Sequence, residues 1–345
     1  MKQTILLLFS YSALNLSCAV FAQQRVSPPR PGMIYTSSDS GKTWSSSVSN
    51  RQWHAVASSA DGLKLVAADY GPRDFRHGGT IESSGGRIYT STNSGATWTP
   101  QYTNRFWMSI ASSADGTRLI AGTYGDGIHT SVDSGVTWTI HEEKLTYTGV
   151  ASSADGKKLV AAPFGHPIRT SSDYGMTWTK HDIDRLWVGV ASSADGTHLA
   201  GCTQGDDRIL TSTNSGETWT VRERMERCHH IACSADGEKL VVVGLSAHVF
   251  TSSDFGAIWT KRPALSSGFA VASSADGRTL AAASMLGHLL ISRDSGETWL
   301  PSGTNANWTA LALSSDGTKL VALASASASE SSTRESASPR IETGR

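Results

Sequence analysis

The chain of 345 residues carries 30 basic and 30 acidic side chains, so its formal net charge is zero at pH 7. That balance excludes a function built on bulk attraction to nucleic acid or to an anionic membrane surface. With 33 glycines, 11 tryptophans and only 17% charged residues, the composition favours many short strands joined by tight turns over long amphipathic helices.

The N-terminus reads as an export signal. Lys2 precedes the apolar run Ile5 to Phe9, a second run passes through Ala19, Val20 and Phe21, and the small residues Val20 and Ala22 suit a signal peptidase. Cleavage after Ala22 is expected, which makes residues 1–22 a leader and the mature protein secreted or periplasmic. Asn15 and Ser17 interrupt a segment already short for a membrane span. Asn15 also disfavours lipid attachment at Cys18. Residues 23–31, with Pro28, Pro29 and Pro31, form an extended linker.

From residue 32 to residue 324 the chain repeats itself. The string Ser-x-(Asp/Asn)-x-Gly-x-Thr-Trp recurs at Ser37–Trp44, Ser91–Trp98, Ser131–Trp138, Ser171–Trp178, Ser212–Trp219 and Ser292–Trp299, and Ser252–Trp259 is a seventh copy with Ile258 in place of Thr. From Trp98 onward these tryptophans are 40, 40, 41, 40 and 40 residues apart, whereas the first interval is 54. A second signature, Ala-Ser-Ser-Ala-Asp-Gly in its commonest form, centres on Asp61, Asp115, Asp155, Asp195, Asp236, Asp276 and Asp316. Each unit holds four apolar or alternating runs, such as Trp107–Ala111, Leu119–Gly122, Ile128–Ser131 and Thr137–Ile140, separated by Asp-Gly or Ser-Gly turns. Four short antiparallel strands per unit predict an all-β, seven-bladed β-propeller. The repeat opens with two strands and ends with two, so the N-terminal and C-terminal half-blades are expected to pair and close the ring without exposed sheet edges. Residues 325–345, rich in Ser, Ala, Glu and Arg, have nothing to bury and are expected to be a disordered tail.

The eight-residue string resembles the Asp-box, or BNR repeat, of sialidases, sortilin-type receptors, some plant-polysaccharide glycoside hydrolases and the photosystem assembly factors. The resemblance implies a single-domain seven-bladed propeller over residues 32–324. It implies little about chemistry, because those families share the turn and differ in activity. The sialidase arginine triad is not matched: the N-terminal Arg-Ile-Pro element is absent and no unit supplies a Tyr with a partner Glu.

In such a propeller the Asp-Gly and tryptophan-motif turns share one face, and the connections from strand two to three and from strand four to the next strand one form the other. Irregularity falls on that second face. The long first interval lies in the connection Asp69 to Arg87, with Tyr70, Asp74, Phe75, His77 and Glu82 framed by glycines. It is either a recognition arm or a solvated excursion. At the start of strand one the units carry Trp53, Trp107, Tyr147, Trp187, Cys228, Gly268 and Trp308, and Arg51, Arg105 and Arg185 stand two residues ahead of an aromatic member. Two accounts fit this set. It is a ring of aromatics and arginines at the channel mouth that binds a sugar or small anion, or it is inter-blade packing with solvated arginines.

Asp69, Asp74, Glu82, Asp126 and Asp184 are candidate catalytic carboxylates, since glycoside hydrolysis needs two opposed acids. The segment Cys228-His229-His230-Ile231-Ala232-Cys233 suggests a metal at first sight, but alternation along a strand points its members to opposite faces, so no metal site is expected. Cys202 in the preceding unit is compatible with a disulfide to Cys228 or with two buried free thiols. No cofactor motif is present and none is expected. The function expected is a secreted, monomeric propeller that binds a glycan, a peptide or a partner protein through its variable face. The alternative is a carbohydrate-active enzyme, hydrolase or lyase, using loop carboxylates there.

Overall fold

The computed structural model describes residues 32–71, 85–141, 144–225, 227–244, 248–264, 268–284 and 287–325. The leader, the linker, the tail beyond Ser325 and most of the Asp69–Arg87 connection, with Asp74 and Glu82, lie outside the described residues. Among the described residues no helix is long and apolar enough to cross a membrane.

Everything described is strand or turn. Strands β1 (Gly32–Ser37) and β2 (Ser45–Arg51) form a hairpin. Strands β3 (Trp53–Ser58), β4 (Leu65–Asp69), β5 (Gly86–Ser91) and β6 (Thr99–Arg105) make one antiparallel sheet, and β7 (Trp107–Ser112), β8 (Leu119–Thr123), β9 (Ile128–Ser131) and β10 (Thr139–His141) make another. A six-stranded sheet contains β11 (Tyr147–Ser152), β12 (Leu159–Ser171), β13 (Thr179–Ser192), β14 (Leu199–Gln204), β15 (Arg208–Ser212) and β16 (Thr220–Arg224). Four strands follow in β17 (Cys228–Cys233), β18 (Leu240–Gly244), β19 (His248–Ser252) and β20 (Thr260–Ala264). The last sheet joins β21 (Gly268–Ser273), β22 (Leu280–Ser284), β23 (Gly287–Ser292), β24 (Leu300–Leu313) and β25 (Leu320–Ser325) to β1 and β2.

The strands thus fall into five hydrogen-bonded sheets rather than seven separate ones, and the reason is local. Strand β13 pairs with β12 through its first half and with β14 through Leu186–Ser192, and β24 likewise pairs with β23 and then β25, so an outer strand runs without a break into the next inner one. The first strand described, β1, pairs with the last, β25, from Met33↔Ala324 to Ser37↔Leu320.

The second strand of each unit is buried on both faces, as in Leu65–Asp69, Leu119–Thr123 and Leu280–Ser284. Its residues are small, among them Ala67, Ala68, Ala121, Ala161, Ala162, Ala281 and Ala283, so neighbouring sheets close on one another. Where a large first-strand side chain must fit, the second strand drops to glycine: a Cβ on Gly201 would come within 2.7 Å of the Trp187 ring.

The two turn types are built by side-chain oxygens standing in for backbone partners. In the unit that begins at Trp107, Ser113 Oγ donates to Asp115 Oδ1 at 2.6 Å, and Asp115 Oδ1 accepts the Thr117 N–H at 2.9 Å. In the other turn Ser131 Oγ donates to Asp133 Oδ1, which accepts the Thr137 N–H, both at 2.8 Å, while Trp138 Nε1 donates to the Gly135 carbonyl at 2.9 Å. Ser134, with φ of 60°, is left-handed as well as Gly135, and its N–H donates to the Thr117 carbonyl at 2.8 Å, so the two turns of one unit touch. The same bond ties Ser94 to Leu63 and Phe255 to Glu238.

The Asp-Gly turns also bind each other. The N–H of Ala60 donates to Ala114, Ala114 to Ala154, Ala154 to Ala194, Ala194 to Ala235, Ala235 to Ala275 and Ala275 to Ser315, and Ser315 donates back to Ala60 at 2.7 Å. Around most of this cycle the stem of a basic residue covers the next turn glycine, as with Lys64 over Gly116, Arg118 over Gly156, Lys158 over Gly196 and Lys319 over Gly62, while Thr279 covers Gly317.

The turn aspartates are held ionised. The Ser113 and Thr117 hydroxyls bring Asp115 down to about 2, Ser193 and Thr197 do the same for Asp195, and Thr298 does so for Asp294, against an ordinary value of 3.8. Asp39, Asp61, Asp133, Asp155, Asp173, Asp236, Asp254, Asp276 and Asp316 are also displaced downward. A carboxylate whose folded value lies below its unfolded value contributes stability above about pH 4 and loses it as pH falls toward about 2. Urea midpoints should therefore fall steadily across that window. Asn93 accepts the Ser91 hydroxyl and the Thr97 N–H in the same way. Asp133→Asn should accordingly fold at pH 7 and show a shallower acid decline, and parallel wild-type and variant curves would refute the assignment.

Candidate binding face

Every first strand carries a register shift immediately after its first residue, between Trp53/Ala55, Trp107/Ser109, Tyr147/Gly149, Trp187/Gly189, Cys228/His230, Gly268/Ala270 and Trp308/Ala310. A bulge re-aims side chains on either side of it. Here it sends the first residue inward and leaves the second, among them His54, Met108, His229 and Phe269, half-buried.

Burial favours the inter-blade packing account of this set over the channel-mouth ring. Trp107, Tyr147, Trp187 and Trp308 are fully buried and Trp53 is 3% exposed, so these five rings pack between strands and present no face to a sugar. Four of them meet a polar or aromatic third-strand residue, and Trp187 lies 5.5 Å from Trp219. Trp53 lies edge-on to Tyr89 at 5.3 Å, Trp107 to His129 at 5.1 Å and Trp308 to Tyr35 at 5.0 Å, and Tyr147 Oη accepts a hydrogen bond from Arg169 Nε at 3.1 Å. Burial, reinforced by the nearby Arg105 charge, brings His129 down to about 4.

Other aromatic side chains beside these strand ends do reach solvent. Tyr70, Phe106, Tyr124, Phe164 and, with them, Leu186 are half-buried at the ends of second strands or in the links to first strands. Their backbones are fixed in one pattern: the N–H of Tyr70 donates to Gln52, that of Tyr124 to Phe106 and that of Phe164 to Thr146, each at 2.8 Å. The Tyr70 ring lies 5.3 Å from Phe106 and 5.4 Å from His54. Of these, only Tyr70 is singled out by the sequence, as part of the long Asp69–Arg87 connection; Tyr124 and Phe164 follow their second strands at places equivalent to it, and that repeat is the signal that finds them.

The three arginines each meet a carboxylate of the adjoining strand-two-to-three connection. Arg51 Nη1 lies 3.4 Å from Asp69 Oδ2 and its guanidinium sits 4.7 Å from the Tyr89 ring centre. Arg105 Nε pairs with Asp126 Oδ2, and Arg185 Nε lies 3.6 Å from Asp206 Oδ2. Asp69, 4% exposed, also accepts the Gly71 N–H at 2.8 Å, and Asp206 accepts the Thr203 hydroxyl at 2.6 Å. Two of the candidate catalytic acids, Asp69 and Asp126, are therefore partners of arginines. Asp184 is exposed on β13 opposite Pro167.

The two histidines of β17 are used by the neighbouring strand. His229 stacks on Phe269 at 4.4 Å with Nδ1 3.0 Å from its carbonyl, and His230 Nδ1 accepts the Val271 N–H at 3.4 Å. Burial lowers both, His230 to about 4.

No family model matches the chain, and no curated protein does. Solved structures do resemble it. YCF48 bound to D1 peptide has a TM-score of 0.58 at 13% identity, covering 86% of this chain and 98% of that one. The Swd1 β-propeller domain of Myceliophteria thermophila gives 0.58 at 14%, covering 80% and 97%. The fold is an antiparallel β-propeller. A GH74 enzyme of Niastella koreensis gives 0.50 at 15%, with 77% of this chain against 61% of the enzyme. At these identities the propeller is alike in fold alone.

Removing a wholly buried indole leaves a cavity its neighbours cannot fill. Trp107→Ala should cost about 3–5 kcal/mol in urea unfolding, and Phe106→Ala about 1 kcal/mol. Equal losses would contradict the inward assignment of Trp107.

Proposed function

We propose that this propeller is an exported binding protein of seven four-stranded blades that takes an extended peptide segment of a partner protein across its variable face. The observation that carries the reading is the arc of half-exposed Tyr70, Phe106, Tyr124 and Phe164 alongside Arg51–Asp69, Arg105–Asp126 and Arg185–Asp206. Phenyl and phenol rings half-sunk in the surface offer sockets for side chains, and paired charges of both signs offer partners to peptide groups. A glycan would favour broad exposed indoles, and the five first-strand rings are buried. One similarly folded protein, YCF48, carries a bound D1 peptide.

Support for seven blades comes from the cycle of turn-to-turn hydrogen bonds, which has seven members and returns to Ala60, and from the β1–β25 pairing, which unites the ends of the repeat in one sheet. The Asp-box assignment rests on the repeated Ser-to-Asp and Thr-to-Asp bonds of the tryptophan-motif turns. Export rests on Lys2 and the apolar leader up to Ala22.

A carbohydrate-active enzyme is the second reading, favoured by the likeness to a GH74 enzyme. Against it, Asp69 and Asp126 are occupied by arginines.

Screening the protein against an array of short peptides should yield binders. Phe106→Ala and Arg105→Ala should each weaken the best of them about 30-fold, with Tm nearly unchanged. Binding confined to a glycan array, or turnover of a polysaccharide panel without peptide binding, would reverse the ranking.

A further inference from the structure

In each unit the fourth residue of the second strand packs against the first residue of the following unit's first strand. Ala68 shares a buried cluster with Trp107, Ala162 with Trp187, Leu323 with Trp53 and Ala283 with Trp308. At two of these contacts a glycine reports how near the backbones come. A Cβ built on Gly122 would stand 2.7 Å from Tyr147 Cβ, and one built on Gly268 would stand 2.8 Å from Val243 Cβ. The repeat thus brings these two positions to within the few ångströms that separate the Cβ atoms of a disulfide.

At one contact both positions are cysteine. Cys202 is the fourth residue of β14 and Cys228 the first of β17, strands that pack together across adjacent sheets. They lie in one cluster with Ile209, Met225 and Ile231, at 0% and 4% exposure, and each departs from what its sibling strands carry, which is a small or aliphatic residue for the first and an aromatic for most of the second. We propose that Cys202 and Cys228 form a disulfide that staples β14 to β17 when the chain folds in the presence of a low-molecular-weight disulfide oxidant.

Both thiols are free and buried in the structure. One thiolate attacks a sulfur of glutathione disulfide, giving a mixed disulfide and one glutathione thiol. The second cysteine then displaces the remaining glutathione, so two electrons and two protons leave in two glutathione thiols. Burial pushes the Cys228 thiol well above its ordinary value, so exchange proceeds as the chain folds and the folded, reduced protein resists it. Cys233, at the other end of β17 and pushed to about 12 by burial, is the cysteine left over among the described residues.

The full chain, refolded with reduced and oxidised glutathione, alkylated in denaturant and digested without reductant, should yield a peptide pair joined through Cys202 and Cys228, with Cys233 alkylated. Its Tm should exceed that of the reduced protein by about 5 °C, and Cys233→Ala should keep both results. Alkylation of both Cys202 and Cys228 after oxidising refolding, or a cross-link through Cys233, would overturn the proposal whatever the stability of any variant.

Discussion

The hydrogen bond from one Asp-Gly turn to the next, repeated until Ser315 returns to Ala60, is the constraint that orders the rest. Backbone bonds of 2.7–2.8 Å join the turns of neighbouring sheets, and their donors are six alanines and one serine. These bonds also fix each turn relative to two others, so a sheet cannot slip its register without breaking a link to both neighbours. The turn glycines follow from the same constraint. Gly116 needs its positive φ to reverse the chain, and the Lys64 stem lies over it, leaving no room for a Cβ.

The close approach of the sheets then dictates how the core is filled. Second strands are small because they are covered on both sides, and bulk is supplied by the first and third strands together. Where the first strand offers Trp53 or Trp308, the third answers with Tyr89 or Tyr35; where it offers Cys228 or Gly268, the third brings Phe250 or Leu290 at the corresponding place.

This explains what the sequence revealed and what it hid. The strands and turns were legible because their chemistry is local: Ser113, Asp115 and Gly116 build one turn within four residues, and the same letters recur in every unit. Position on the face stayed open between a binding ring and packing at Trp53, Trp107, Tyr147, Trp187 and Trp308, because the bulge after each of them interrupts the alternation on which an inside-outside reading of a strand depends. The left-handed Ser134 and Phe255 were equally hidden. Neither residue type signals positive φ, and the compensating N–H bond runs to a carbonyl of the unit's other turn, beyond the reach of local sequence.

One face of each unit is thus consumed by turns that bind one another, and freedom to vary is left to the opposite connections. What varies there is electrically quiet, since Arg51, Arg105 and Arg185 each stand beside an aspartate in a chain whose net charge is zero. Such a surface exerts little long-range pull, so on the proposed peptide-binding reading discrimination arises at contact, where a ligand group must match the local Arg–Asp geometry or leave a charge unpaired. The half-buried Tyr70, Phe106, Tyr124 and Phe164 suit that regime. Their backbones are pinned by bonds to Gln52, by the bond between Tyr124 and Phe106, and by the bond to Thr146, so little backbone ordering is left for the moment of binding. On the proposed reading, backbone bonds already made before the ligand arrives are what keep the ordering cost of taking up a peptide low.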